Sequence, residues 1–135
     1  MSAETTYDYV VVRVVPRVER GERINVGVVL SCVDSEVLDC RIELDEARLL
    51  ALDPEADLDA VRAALAVIPR VCAGGPDAGD IGTLPARGRF RWLASPRSTM
   101  VQTSRVHTGR TIDPAATLDR LFRALVAHPP RRRDG

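Results

Sequence analysis

The segment formed by residues 7–16 constrains the fold more than any other part of the chain. It reads Tyr-Asp-Tyr-Val-Val-Val-Arg-Val-Val-Pro, so β-branched and aromatic residues occupy both alternating sets of positions. Successive side chains of a strand point to opposite faces of a sheet, and apolar residues in both sets indicate cover on both sides. Residues 7–16 are therefore predicted to form a central strand.

Two further strands are predicted, over residues 24–32 and 37–44. The first of them follows a polar turn and most simply returns antiparallel to the central strand. Gly27 interrupts its side-chain pattern, so either another segment approaches the backbone closely or the strand bulges there. In residues 37–44, apolar side chains alternate with charged ones, which predicts a strand with one face in water.

Helical spacing of apolar residues follows, weakly over residues 45–52 and more clearly after Asp57, which can cap a second helix. A last helix begins at Asp113-Pro114, an N-cap followed by proline at the first helical position. Pro129 ends it, with His128 at its end, and residues 129–135 are expected to form a flexible tail. The apolar stripe of this helix consists of Leu118, Leu121, Phe122, Leu125 and Val126.

Residues 73–88 contain five glycines and two prolines, which predicts a mobile loop. Strands are predicted on its far side over residues 89–94 and 100–107. The element order βββααββα favours an α+β fold with a largely antiparallel sheet of about five strands and helices packed on one face. With 135 residues, the chain fits one domain with a core over about residues 6–127 and needs no stabilising metal or disulfide.

The chain lacks a long apolar segment and a secretory leader, so a cytoplasmic location is expected. Its three cysteines, an odd number, are expected to be reduced core thiols. Acidic and basic residues balance at nineteen each, but they are unevenly distributed. Residues 34–59 hold ten acidic residues and two arginines, whereas residues 81–112 hold six arginines and no acidic residue. The two segments either neutralise each other or face a charged partner.

Four arginines of the basic segment form a candidate anion-binding surface. If residues 89–94 are a strand, alternate positions place arginines on one face and Phe90 and Trp92 on the other. Such a row is either a solvated face or a binding surface for nucleic acid or an acidic protein. Its members are Arg87, Arg89, Arg91 and Arg97.

Arg13 is the one charge on the apolar face that it shares with Tyr9, Val11 and Val15. A charge in such surroundings requires a partner. Glu22 can supply it across the predicted hairpin, or a phosphate or carboxylate of a ligand can do so.

The sequence contains few candidate catalytic side chains. His107 and His128 are the two histidines of the chain, and neither belongs to a nucleophile motif or to a metal-binding spacing. His107 has hydroxyl and amide neighbours and is either a general base or a structural residue. No catalytic residue, cofactor or metal site is assigned from the sequence.

Two stretches resemble an uncharacterised bacterial family, domain of unknown function 3037. The first runs through residues 7–16 and 22–30, including Glu22-Arg-Ile-Asn-Val-Gly-Val28; the second runs through residues 90–97 and on to Gln102, His107 and Gly109. The resemblance covers about residues 7–126 except the loop 73–85. Genes of this family often lie beside one for a small HipA-like kinase-fold protein, which implies partnership with it. The resemblance also implies that six polar residues form one site or one buried network: Arg13, Glu22, Asn25, Arg97, Gln102 and His107.

Two classes of function are therefore considered. The first is a non-enzymatic accessory module that binds a protein partner through its charged faces. The second is a nucleotide-binding or nucleic-acid-binding protein, with hydrolase activity as one form of it, built on the arginine row. Neutral net charge, the acidic segment and the lack of a catalytic motif favour the first.

Overall fold

The computed structural model describes residues 3–95 and 100–127. It shows an α+β fold with a five-stranded antiparallel sheet, which confirms the predicted class. The strands are β1 (Thr5–Val14), β2 (Ile24–Cys32), β3 (Leu38–Ile42), β4 (Val101–Thr103) and β5 (His107–Thr111). The α-helices are α1 (Glu46–Leu52), α2 (Leu58–Ala73), α3 (Ala86–Ala94) and α4 (Pro114–Leu125).

β1 is the central strand, as its sequence predicts. It pairs with β2 on one side, β2 pairs in turn with β3, and β4 and β5 lie end to end along the other side of β1. Ser104 bridges the gap between β4 and β5: its N–H donates to Val11 O at 2.8 Å, and its Oγ accepts from Val11 N at 2.9 Å. The strand is therefore interrupted without leaving the Val11 backbone unpaired.

The interruption predicted at Gly27 has both of the expected causes. The register of β2 shifts against β1 at this point, so Val12 lies opposite Gly27 but Arg13 lies opposite Asn25. A Cβ atom on Gly27 would clash with the side chain of Ile42 and lie 2.8 Å from the backbone oxygen of Arg41. The bulge places Asn25 beside Arg13 on one face of the sheet.

Helices cover both faces of the sheet, so the prediction that they pack on one face is wrong. Val10, Val12 and Val14 of β1 belong to a core cluster with residues of α1, α2 and α3. Tyr7 belongs to a second cluster with Val28, Leu30 and Cys32 of β2 and Leu118 and Leu121 of α4. Neighbouring strand residues point to opposite faces, so α4 lies on the face away from α2 and α3. The apolar side chains on both faces of β1 and β2 require this arrangement.

The segment 73–94 also differs from the prediction. Pro76–Thr83 forms two short 3₁₀ segments, separated by a kink at Gly79, within the predicted loop. Residues 89–94 belong to helix α3, not to a strand. Ala86, Phe90 and Leu93 are its buried residues, and their spacing of four and three residues is that of one helix face.

Several local predictions are confirmed. Asp57 accepts a hydrogen bond from Ala60 N at 3.0 Å, and Asp113 accepts one from Ala116 N at 3.1 Å, so both carboxylates cap helices. The three cysteines are free thiols. None of the helices within residues 3–95 and 100–127 has the length and apolar character needed to cross a membrane. Arg97, His128 and the tail 129–135 lie outside the described residues.

Candidate functional site

Three of the predicted polar residues lie side by side on the face of the sheet that carries α4. Arg13 of β1 is opposite Asn25 of β2 on one side and Gln102 of β4 on the other. Arg13 Nε donates to Asn25 Oδ1 at 3.3 Å, and Asn25 Nδ2 donates to the backbone oxygen of Leu125 at 3.0 Å. Asn25 thereby fixes the guanidinium of Arg13 next to the end of α4.

A cleft of about 440 Å³ opens at this point, and we call it the arginine cleft. Arg13 contributes from the central strand, Arg23 from the residue before β2, and Arg48 from α1. None of the three forms an ion pair with another residue of the described chain. The full lining consists of Arg13, Arg23, Asn25, Arg48, Ala124, Leu125, Val126 and Ala127.

The arginine cleft contains three positively charged side chains, Arg13, Arg23 and Arg48. The pKa of Arg13 is lowered from its ordinary value, first by burial and then by the neighbouring charge of Arg23. The C-terminal end of α4 carries partial negative charge, which favours nearby cations but amounts to about half an elementary charge. Three guanidinium groups exceed that charge, so the cleft retains net positive charge for a ligand.

Carboxylates border the arginine cleft on one side. An adjoining cleft of about 190 Å³ shares Asn25 and Arg48 with it and adds the side chains of Glu43 and Asp45. Asp45 also caps α1 by accepting a hydrogen bond from Arg48 N at 3.1 Å. The combined surface therefore presents both signs of charge within a short distance.

The predicted pair of Arg13 and Glu22 is wrong. Glu22 forms an ion pair with Arg20, which lies two residues before it in the turn that leads to β2. Arg13 instead meets the amide of Asn25, because the bulge sets these two residues opposite each other. A neutral amide leaves the charge of Arg13 uncompensated within the described structure.

His107 lies on the same face of the sheet but not in the cleft. Its ring stacks on that of Tyr9, with ring centroids 5.0 Å apart and ring planes inclined by 22°. Tyr9 and Arg13 are four residues apart on β1, which corresponds to about 13 Å along a strand. Of the six polar positions, the structure thus brings together Arg13, Asn25 and Gln102, whereas Glu22 and His107 lie elsewhere and Arg97 is not described.

The predicted arginine row does not lie on a strand. Its described members, Arg87, Arg89 and Arg91, belong to helix α3. Arg87 donates to Asp8 Oδ2 at 2.9 Å and to Ser31 Oγ at 3.0 Å. Arg89 donates to backbone oxygens, and Arg91 is exposed. Two of the four guanidinium groups therefore hold the molecule's own elements together. Anion binding by this set stays a prediction.

Comparison with known proteins agrees with the resemblance of the sequence. The sequence model of the family described as protein of unknown function DUF3037 matches residues 9–126. The chain belongs to this family. No curated protein and no solved structure matches it significantly.

The part of the chain that matches the DUF3037 family contains all four polar residues of the arginine cleft. Sequence reasoning identified Arg13 and Asn25 but missed Arg23, Arg48 and the bordering carboxylates Glu43 and Asp45. No local pattern marks these residues, because they come from different elements and meet at the end of α4. Among the described residues, no group of three or more metal-binding side chains is present.

Proposed function

We propose that this protein is a non-enzymatic accessory module that binds a segment of a protein partner in the arginine cleft. The observation that carries the proposal is the set of three guanidinium groups, Arg13, Arg23 and Arg48, without carboxylate partners in the described chain. Other arginines of the molecule have such partners, among them Arg17, Arg41, Arg62, Arg87 and Arg110. Guanidinium groups bind carboxylates through paired hydrogen bonds, which gives both strength and orientation.

The bordering carboxylates favour a protein segment over a phosphate backbone. A chain of phosphates that enters the arginine cleft would pass close to Glu43 and Asp45 and be repelled by them. A peptide with an acidic side chain beside a basic one would match both signs of charge. The neutral net charge of the chain agrees with a partner of mixed charge.

The partner that the family resemblance implies is a HipA-like kinase-fold protein. We propose that it supplies the segment that enters the arginine cleft. His107, the one histidine among the described residues, stacks on Tyr9, and this contact supports a packing role for it.

The test measures binding of a HipA-like kinase-fold protein, the partner that the family resemblance implies. Arg23 and Arg48 are exposed, so the double variant Arg23→Gln/Arg48→Gln should keep its melting temperature. Each lost charge-assisted hydrogen bond corresponds to about a tenfold loss of affinity, so titration calorimetry should show a loss of about 100-fold. The matched control is Arg91→Gln/Arg120→Gln, which removes two exposed arginines that do not line the cleft.

The same cleft variant and control variant also test the second class of function, nucleic-acid binding. Titration with a fluorescent single-stranded oligonucleotide at two salt concentrations detects phosphate binding, which weakens steeply with salt. Salt-sensitive oligonucleotide binding that disappears in Arg23→Gln/Arg48→Gln would replace the accessory module with nucleic-acid binding. Equal affinity of the HipA-like protein for the cleft variant and the control would reject the arginine cleft as its binding site.

A further inference from the structure

Two cysteines from different elements meet on the face of the sheet away from α4. Cys40 lies on β3 opposite Val29, and Cys72 lies in the last turn of α2. Cys40 packs against the apolar cluster that contains Cys72, and the two thiols affect each other's pKa. Both side chains line a cavity of about 300 Å³, whose other lining residues are Leu38, Asp39, Ile42, Pro69 and Ala73.

The surroundings distinguish these thiols from the third cysteine. Cys40 is half-buried and Cys72 is 8% exposed, and both border the cavity. Cys32 is fully buried in the cluster beneath α4, on the opposite face of the sheet. Cys32 therefore serves as an internal reference for a thiol of the same chain that does not border this cavity.

We propose that Cys40 and Cys72 form an oxidation site that reduces a hydroperoxide and is converted to a disulfide between β3 and α2. The cavity has room for a small peroxide beside the two sulfur atoms. Both thiols are free in the structure.

The chemistry balances with the peroxide as the oxidant. The sulfur of Cys40, as thiolate, attacks one peroxide oxygen, the O–O bond breaks, and hydroxide leaves and takes up a proton to become water. Cys40 is then a sulfenic acid. The sulfur of Cys72 attacks the sulfur of Cys40, the S–O bond breaks, and the leaving hydroxide takes the Cys72 proton as a second water. Two thiols lose two electrons, and hydrogen peroxide becomes two water molecules.

The environment assigns the two roles. The hydrogen bond from the Cys72 thiol lowers the pKa of Cys40, against the opposing effects of burial and of Asp39. The pKa of Cys72 is raised, first by its hydrogen bond with Cys40 and then by burial. Cys40 is also the more exposed of the two thiols, so we assign the attack on the peroxide to Cys40 and the second step to Cys72.

The experiment treats the full chain with hydrogen peroxide and maps the cysteines by mass spectrometry under non-reducing conditions. Cys32 and Cys40 share one tryptic peptide, so Asp-N is added to cut before Asp39 and separate them. The expected product is a linked pair of peptides that contain Cys40 and Cys72, with Cys32 still open to alkylation after denaturation. The cross-link shortens the free chain of the unfolded state, so the melting temperature should rise after oxidation and return with reductant.

Variants separate the roles of the two sulfurs. Cys72→Ser should stop at the sulfenic acid of Cys40, trapped by dimedone, whereas Cys40→Ser should leave Cys72 unmodified at the same peroxide concentration. Cys32→Ser is the matched control and should form the disulfide as the unchanged chain does. A disulfide that includes Cys32, one that joins two chains, or no Cys40–Cys72 link in the unchanged folded protein would overturn the proposal.

Discussion

The guanidinium of Arg89 donates hydrogen bonds to the backbone oxygens of Val71, Cys72 and Leu84, at 2.9, 2.7 and 3.0 Å. Two of these oxygens belong to the last turn of α2, where the helix leaves carbonyl groups without partners and carries partial negative charge. Arg89 therefore closes α2 and ties it to α3. Arg91, two residues further along the same helix, is exposed. The two arginines therefore differ in their contribution to the stability of the fold.

Replacement of Arg89 tests this structural role. Arg89→Gln removes the charge and most of the donors that reach the end of α2, so the free energy of unfolding should fall by about 2 kcal/mol. Urea denaturation measures the change. Arg91→Gln on the same helix is the control and should stay within about 0.5 kcal/mol of the unchanged chain. Equal stability of the two variants would show that the carbonyl contacts contribute little.

Phe122 is the aromatic residue of the α4 stripe, and it is 6% exposed, which confirms the predicted phase of this helix. The guanidinium of Arg41 lies over its ring, 5.2 Å from the centroid. Phe122→Ala should lower the free energy of unfolding by about 3 to 5 kcal/mol, because it leaves a cavity under α4.

The measurement for Phe122→Ala is the midpoint of urea unfolding with an unchanged slope. Ile112→Ala is the matched control, since Ile112 is 64% exposed just before the same helix. A loss below about 1 kcal/mol in Phe122→Ala would contradict the packing described here.

At the scale of elements, the short helix α1 is attached by carboxylates at its two ends. Asp53, which follows the helix, accepts from Glu55 N at 3.0 Å and from Arg17 at 3.2 Å. Glu46, in its first turn, accepts from Arg62 of α2 at 2.6 and 2.9 Å. These contacts hold Arg48, which extends from α1, at the arginine cleft.

The same carboxylates predict how stability depends on pH. The pKa of Asp53 is lowered, first by the backbone hydrogen bond from Glu55 and then by Arg17, and the pKa of Glu46 is lowered by its hydrogen bond from Arg62. Both groups bind protons more tightly in the unfolded chain. Their contribution is therefore complete above the ordinary carboxylate range, at about pH 5 and higher, and is lost as pH falls through the lowered values.

Thermal unfolding between neutral and acidic pH checks this expectation. The double variant Glu46→Gln/Asp53→Asn should be less stable than the unchanged chain at neutral pH and should lose less stability on acidification. The exposed Asp34→Asn is the control and should follow the unchanged chain. Parallel pH curves for the double variant and the unchanged chain would contradict the assigned contribution.

At the scale of the whole molecule, the sheet has two covered faces with separate apolar clusters. The cluster beneath α4 contains Tyr7, Val28, Leu30 and Cys32 of the strands, and all four are buried. Without α4 these side chains would meet water, at a cost of about 25 cal/mol for each Å² of apolar surface. The helix is thus required for the fold as well as for the arginine cleft at its end.

Truncation after Ile112 tests the dependence of the fold on α4. The shortened chain should lose its cooperative thermal transition and bind the dye ANS, because one face of the sheet is uncovered. Calorimetry and dye fluorescence give the two readouts. Arg120→Gln in the full chain, an exposed change on α4, is the control and should keep the transition. A cooperative transition in the truncated chain would show that the second cluster is dispensable.

Features that depend on near neighbours along the chain could be predicted from the sequence. The residue pattern predicted the strands over residues 7–16 and 24–32, and apolar residues in both sets of positions predicted cover on two sides for residues 7–16. The capping roles of Asp57 and Asp113 were also predicted, because a cap depends on nearby residues: each carboxylate accepts from a backbone N–H three residues further on. Gly27 indicated a bulge or a close backbone approach, because a glycine within a strand pattern can be recognised from the sequence alone.

Contacts between residues that are far apart in the sequence became visible only in the folded chain. The strand predicted at residues 89–94 is a helix, because burial of Phe90 and Leu93 against the sheet selects helical spacing. The bulge gave Arg13 an amide partner in place of Glu22. The arginine cleft joins residues of β1, α1 and α4, and the two thiols join β3 to α2. Contacts between such distant segments are set by how the elements pack, which no local pattern of residues encodes.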